Sequence, residues 1–492
     1  MIFGLSFIPL SLLTLCAIDF HRASTVGNTL QDALDAATLA AARADTSNAS
    51  TIQTIGYNTL MANMTAFPDT TLANVTFTLA SDGTVTGNAD AQVTPLVANM
   101  FVGGPLTVGA DSQVVRANDK LEVALVLDNT GSMAGTKIAT LRTAAANLVD
   151  DLKASAANSN DPEALKVALV PFSMTVRVGS QYQNANWVDN NAVSPLSTSI
   201  FDGNANRFAL LNQMNLTWAG CVESRPYPYD VQETAPTAAN PSTLFVPYFA
   251  PDEPDVDQVN AFDDYYVSND YLPDGLKKSN SDYGKWFKHQ GRIQKYGTSG
   301  LDTSDGKGPN RGCTLQPISR LTTNTNAIKS AINNMVATGE TNIPMGLVWG
   351  WHVLSPNKPF QDGAAYTDSD VTKIVILMTD GDNVNSESWN PNDSQYSGLS
   401  YVWNQLLGLN IGSSASQRTA AMNARLSTLC ANMKAQGIII YTVRVEVTSG
   451  SSSLLQNCAT SADNFYDVQN VANLDNAFDE IVGQISRLRI AH

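Results

Sequence analysis

From Lys120 onward the chain is organised by short, nearly continuous apolar runs, each closed by a polar loop. The runs LEVALVLD (121–128), KVALVPF (166–172), KIVILMTD (373–380) and GIIIYTVRVEV (437–447) are rich in β-branched residues, and NFYDV (464–468) is a weaker fifth. Strands that are apolar at every position rather than at alternate ones are buried on both faces, the condition of a parallel sheet with helices above and below. Stretches of helical periodicity separate them, at 137–153, 324–336, 344–354, 417–436 and 471–488. The predicted fold class is α/β, a doubly wound, mostly parallel, Rossmann-like sheet.

One stretch breaks this rhythm. Residues 174–320 are rich in Pro, Asn, Asp, Tyr and Trp, and a structureless loop of that length inside a compact domain is uncommon. They are read as a large insertion, a folded subdomain within a sheet domain spanning 119–492. Its acidic run of Asp252, Glu253, Asp255, Asp257, Asp263 and Asp264 lacks the fixed spacing and turn glycine of a calcium loop, so a solvated loop is expected.

Ahead of the sheet domain the chain starts with MIFGLSFIPLSLLTLCAI, without a charge and near the shorter end of the ~17 to 25 residues that span a bilayer. A single-pass anchor is predicted, since only a poor small-residue cleavage site follows to make it a signal peptide. No basic residue precedes the run, so a truncated or processed start is expected. Val26, Leu30, Ala33, Leu34, Ala37, Ala40, Ala41 and Ala44 then recur at helical spacing and extend the anchor as one long helix through residue 44. Alternating apolar and polar residues over 75–93, around a Ser-Asp-Gly turn, and again over 107–115 predict a small β-rich stalk domain at 45–118.

At 492 residues the chain is too long for one core, and 43% hydrophobic with 15% charged residues is globular rather than disordered. A formal net charge of -16 with no basic cluster excludes a nucleic-acid partner. Beside Cys16 in the apolar start, four cysteines remain: Cys221, Cys313, Cys430 and Cys458. None has zinc spacing, so two disulfides in an oxidising compartment, Cys221 to Cys313 and Cys430 to Cys458, are preferred over buried free thiols.

Three polar loops follow the strands and gather at the carboxyl edge of a parallel sheet, where open α/β sheets bind ligands. They contain Asp128, Asn129, Thr130, Gly131, Ser132 and Met133; then Gly339, Glu340, Thr341 and Asn342; then Thr379, Asp380, Gly381 and Asp382. Hydroxyls and carboxylates are hard oxygen ligands suited to a magnesium-sized ion. Spacing by two sets Asp128, Thr130 and Ser132 around one tight turn, and Thr341 and Asp380 complete five oxygen donors with only two formal charges. An open position on such an ion would take a carboxylate from another molecule. A basic side chain filling the meeting point would count against this reading. Taken singly, each loop has an ordinary explanation in helix capping or a turn.

At these residues the sequence resembles the von Willebrand factor A family, whose metal-ion-dependent adhesion site combines an Asp-x-Ser-x-Ser motif with a distant Thr and a distant Asp. The resemblance implies Asp128, Thr130, Ser132, Thr341 and Asp380 as the ligand set, with Thr130 where many members have Ser. The implied cation is Mg2+, with Mn2+ or Ca2+ as alternatives, and the implied partner is a protein offering an Asp or Glu carboxylate. More narrowly, the Ala-rich TLQDALDAATLAAARA, DNTGSM, GCVESRPYPYDV, LFVPYFAPDEP, GPNRGC and the closing QISRLRI resemble TadG-like proteins of bacterial Flp (tight adherence) pilus systems. That resemblance implies an inner-membrane anchor, a periplasmic or surface-exposed bulk, and a role in pilus assembly or adhesion.

Two other functions compete: a metal-dependent hydrolase of phosphoesters, whose general base would be Glu340 or Asp382, and a purely structural envelope stalk. The histidines at 21, 289, 352 and 492 have no metal-type spacing, and no nucleophile elbow is present, so no enzyme is predicted. Trp349 and Trp351 alternate with small residues as core positions do.

Overall fold

The computed structural model describes residues 2–44, 46, 48–67, 70–80, 84–95, 104–115, 120–157, 159, 161–254, 269–273, 283–388, 390–447 and 452–491, with side chains except those of 2–16, 115, 283–285, 452 and 487–491. The chain divides into two compact units, residues 1–119, 154–164 and 484–492 in one and residues 120–153 and 165–483 in the other.

In the first unit, α1 (Ile2–Ala42) is a single long helix and α2 (Ala49–Asn63) a shorter one. They pack on an antiparallel sheet of β1 (Thr70–Leu79), β2 (Thr84–Val93) and β3 (Leu106–Val115), in that order. The helical spacing of Val26, Leu30, Ala33, Leu34, Ala37 and Ala41 puts these side chains in one buried cluster with Phe77, Val85, Ala89 and Ala91 of the strands. Small residues on the helix let the sheet come close. Helix α2 was not expected: its TIQTIGYNT is β-branched and interrupted by Gly56, yet Asn48 caps it, accepting from the amides of Ser50 and Thr51, and Ile52, Gly56 and Leu60 form its buried face. The Ser-Asp-Gly turn lies outside the described residues. So do the side chains of the apolar start through residue 16. Among the described residues no helix is long and apolar enough to cross a membrane.

The second unit is mixed α/β around an eight-stranded, mostly parallel sheet. Its parallel strands are β4 (Lys120–Asp128), β5 (Leu165–Phe172), β9 (Val371–Thr379), β10 (Ile439–Val445) and β11 (Phe465–Val468). The order is β11-β10-β9-β4-β5, continued by the short β6 (Val176–Arg177) and β7 (Cys221–Val222), with β8 (Ser319–Thr322) paired to β5. Residues Leu121 to Asp128 of β4 are all buried, so both faces are covered, as the unbroken apolar pattern requires. No sequence pattern marks β6, β7 or β8, antiparallel strands of two to four residues that are too short to carry one.

Between the strands run α3 (Thr136–Ala156), the short α4 (Pro195–Thr198), α5 (Arg207–Gln213) and α6 (Tyr283–Gln290), then α7 (Thr325–Asn333), α8 (Ile343–Leu354), α9 (Ala415–Ala435), α10 (Ser452–Cys458) and α11 (Leu474–Ala491). Every residue of α8 is buried, the mark of a helix covered all round. One side lies on the sheet so closely that a Cβ at Gly346 would stand 2.4 Å from Phe172 and one at Gly350 2.5 Å from Val126. The other side meets the insertion, where Phe245 and Trp187 pack at a tilt against Trp349 with ring centroids 4.7 and 6.2 Å away. Trp349 and Trp351 are core residues.

Both disulfides form, Cys221 with Cys313 inside the insertion and Cys430 with Cys458 between α9 and α10. In the acidic run, Asp255, Asp257, Asp263 and Asp264 lie outside the described residues. Asp252 and Glu253 depart from the solvated loop expected of them. Asp252 is buried, accepts from the amides of Tyr271 and Leu272 and pairs with Lys295 at 2.6 Å; Glu253 is buried and accepts from the Asn269 amide and the Tyr401 hydroxyl.

Candidate metal site at the carboxyl edge

The chain leaves β4 for β5 on one side and later returns to β9 on the other. That reversal opens a crevice beyond the carboxyl ends of β4 and β9. Asp128 closes β4, and Asp380 follows Thr379 at the end of β9, with Leu127 opposite Met378 in the register. The two acids thus come together from positions 252 residues apart, 380 minus 128.

Asp128 is fully buried and held at both oxygens: Oδ1 accepts from the Thr130 amide at 2.7 Å and Oδ2 from the Thr379 hydroxyl at 2.6 Å. The first bond closes the tight turn that spacing by two implied. The Thr130 and Ser132 hydroxyls lie 2.9 Å apart, and Ser132 donates to Asp380 Oδ1 at 2.7 Å. One chain of hydrogen bonds therefore links Asp128, Thr130, Ser132 and Asp380. Thr130 and Asp380 are buried and Ser132 is exposed, so the cluster opens to solvent on the Ser132 side.

The middle loop is stitched to the first by its backbone. The Gly131 amide donates to Gly339 O at 2.8 Å and the Thr338 amide to Asn129 O at 2.7 Å. Gly339 adopts φ 74°, a left-handed conformation that favours glycine. Thr341 is buried here and its carbonyl accepts from the Val384 amide in the third loop. Among the described residues, its side chain makes no hydrogen bond to the other four. Thr130, Ser132 and Asp380 are joined side chain to side chain, Asp128 reaches them through the Thr130 amide, and Thr341 only shares their loop cluster.

Two participants were missed. Thr379 was placed in the third polar loop but outside the ligand set; it ends β9, and the pairing of β9 with β4 brings its hydroxyl to Asp128. Lys137, in the first turn of α3, pairs with Asp380 Oδ2 at 2.7 Å. Among the described residues, it makes no hydrogen bond to Asp128, Thr130, Ser132 or Thr341. The basic side chain therefore already engages one of the two acids of the cluster.

Burial, reinforced by the charge of Asp380, pushes Asp128 up to about 6. Two buried carboxylates share one ammonium, and more positive charge would be favourable there. No cluster of three or more His, Cys, Asp or Glu suited to a metal occurs among the described residues, so an ion in this crevice would rest mainly on hydroxyls and on these two acids. Each carboxylate oxygen retains lone pairs beyond the bond it already accepts. The donor set fits a hard divalent cation. Glu340, the candidate base of a hydrolase, is raised by burial and accepts from the Ser386 amide at 3.2 Å.

Residues 1–44 match the Tad family, described as Flp pilus-assembly TadE/G-like. No curated protein matches the chain in sequence. Among solved structures, the pilus adhesin SpaC from Lactobacillus rhamnosus GG is similar at 11% identity, covering 86% of this chain and 35% of its own, with a TM-score of 0.33. The vWF domain of the type V pili tip protein Mfa5 from Porphyromonas gingivalis is similar at 12% identity over 76% of this chain and 97% of its own, TM-score 0.35. The pilus adhesin RrgA from Streptococcus pneumoniae is similar at 11% identity over 81% and 47%, TM-score 0.33. This chain spans about a third of the length of SpaC. Over its first 44 residues, the chain is similar to the TadE/G-like segment of Flp pilus-assembly proteins.

Proposed function

We propose that this is an exported, non-enzymatic component of a Flp-type pilus system that binds a protein partner through a divalent cation, Mg2+ first, in a von Willebrand factor A-type domain. The ligands would be Asp128, Thr130, Ser132, Thr341 and Asp380. When bound, the ion supplies an electrophilic position for an Asp or Glu carboxylate of the partner. The observation that carries the reading is the hydrogen-bonded chain from Asp128 through Thr130 and Ser132 to Asp380, drawn from two strands to one solvent-facing crevice.

The TadE/G-like N-terminal segment supports a place in pilus assembly or adhesion. Two disulfides support an oxidising compartment, the periplasm or the cell surface. The uncharged start is the proposed inner-membrane anchor.

The test is capture from envelope extract on immobilised full-length protein. Mg2+ should support capture of a discrete partner, and a chelator should abolish it. Asp128→Ala should also abolish capture while circular dichroism shows a folded protein. Equal capture by wild type in chelator and by the variant would sink the proposal. Turnover of a phosphoester lost in Glu340→Gln would turn the reading towards a hydrolase.

A further inference from the structure

Lys137 stands where a cation is electrostatically unwelcome. It lies in the first turn of the 21-residue helix α3, at the positive end of the helix dipole, and such a position needs compensation by acids. Two acids provide it. The Lys137 Nζ is 2.7 Å from Asp380 Oδ2 and 3.8 Å from Glu446 Oε2. Asp380 is wholly enclosed at its side chain, whereas the lysine is 24% exposed and so has room to move.

Glu446 is held in place as a second acceptor. It follows β10 with φ 51°, its amide donates to Val468 O at 2.8 Å, and its Oε1 accepts from the Val471 amide at 3.0 Å. That leaves Oε2 on the side of Lys137. One ammonium therefore has two carboxylates within reach, one in the candidate metal site and one just beside it.

Resting on the metal-site reading above, we infer that Lys137 is a built-in counter-cation that competes with the divalent ion for Asp380 and moves onto Glu446 when the ion binds. Without metal, the lysine neutralises Asp380 and keeps the third loop against the first. With metal, a divalent cation and an ammonium would crowd one carboxylate, and the longer, more exposed contact to Glu446 relieves that repulsion. The affinity of the site is thus lower than its five oxygen donors alone would give. Lys137 is a positioning residue and not a ligand.

The experiment is calorimetric titration of MgCl2 and MnCl2 into the full chain at neutral pH. Lys137→Met should bind both ions more tightly, by about tenfold or more, because the competitor is gone. Lys137→Arg keeps the charge and should stay near wild type, which guards against a methionine variant that fails to fold. Glu446→Gln should weaken binding by about threefold or more, because the displaced ammonium loses its acceptor. In the Lys137→Met background the same glutamate change should have no effect. An affinity in folded Lys137→Met equal to or weaker than wild type overturns the inference, as does an equal effect of Glu446→Gln in both backgrounds. If neither wild type nor Lys137→Met takes up either ion, the metal-site reading itself fails, and that outcome is distinct from a lysine with no influence.

Discussion

Asp128, Thr130 and Ser132 could be read from the sequence because a tight turn after a buried strand converts spacing by two into a common direction. Asp380 was readable because it closes another apolar run. Thr379 and Lys137 were not, since their roles depend on which strand lies next to which and on how far a side chain reaches. The same limit applies to Asp230, in a single 3-10 turn of the insertion, whose burial no sequence pattern marks. Its Oδ1 is buried without a hydrogen-bond partner and Arg425 stands 3.5 Å from Oδ2. Burial outweighs the arginine and pushes it up to about 6 from an ordinary 3.8. Because the folded value is the higher one, the folded chain keeps this proton over a range where the unfolded chain has lost it. The stabilisation is complete below about pH 4 and is lost as pH rises through about 6. Asp230→Asn should therefore exceed wild type in stability by up to about 3 kcal/mol near pH 7.5 and lose that advantage near pH 4. Urea unfolding at both pH values checks this, and a gap that does not change with pH would refute it.

Among the elements, β4, β5, β9 and β10 were legible because burial on both faces leaves an unbroken apolar signature. Helix α8 was legible as core for the same reason, although the sequence did not show what covers it. Its glycines carry that information in another form. At Gly346 a methyl group would gain about 1 kcal/mol of helix propensity, but it would stand 2.4 Å from the buried Phe172 ring, and overpacking typically costs 1–3 kcal/mol, roughly. A ring on β5 has no free space to give, which puts the cost at the upper end of that range, so Gly346→Ala should be destabilising by about 2 kcal/mol net. Phe172 O also accepts from the Asn129 amide at 2.8 Å, so the displaced ring would disturb the first loop of the candidate site. Chemical denaturation of the variant reads the first effect and Mg2+ titration the second; unchanged stability would show that α8 can lift from the sheet without cost.

At the scale of the whole molecule, the long acidic chain was read correctly as globular and α/β, while the standing of the insertion could not be seen from composition. Its Trp187 and Phe245 belong to the same buried cluster as Val126 of β4 and Leu377 of β9. Sequence distance hid this, because aromatic residues within a Pro- and Asn-rich stretch carry no periodicity that points at a sheet. Trp187→Ala should lower the stability of the sheet domain by about 3–5 kcal/mol, and hydrogen exchange should show insertion and sheet losing protection together. Early loss confined to the insertion would show the opposite. The aromatic cluster on α8 also bears on how this part of the protein would respond to a mechanical load. Tension applied to the insertion would pass through Trp187 and Phe245 into the central strands, which must slide past one another before anything gives way. An arm on a hinge would yield early; a part keyed into the sheet shares the sheet's resistance.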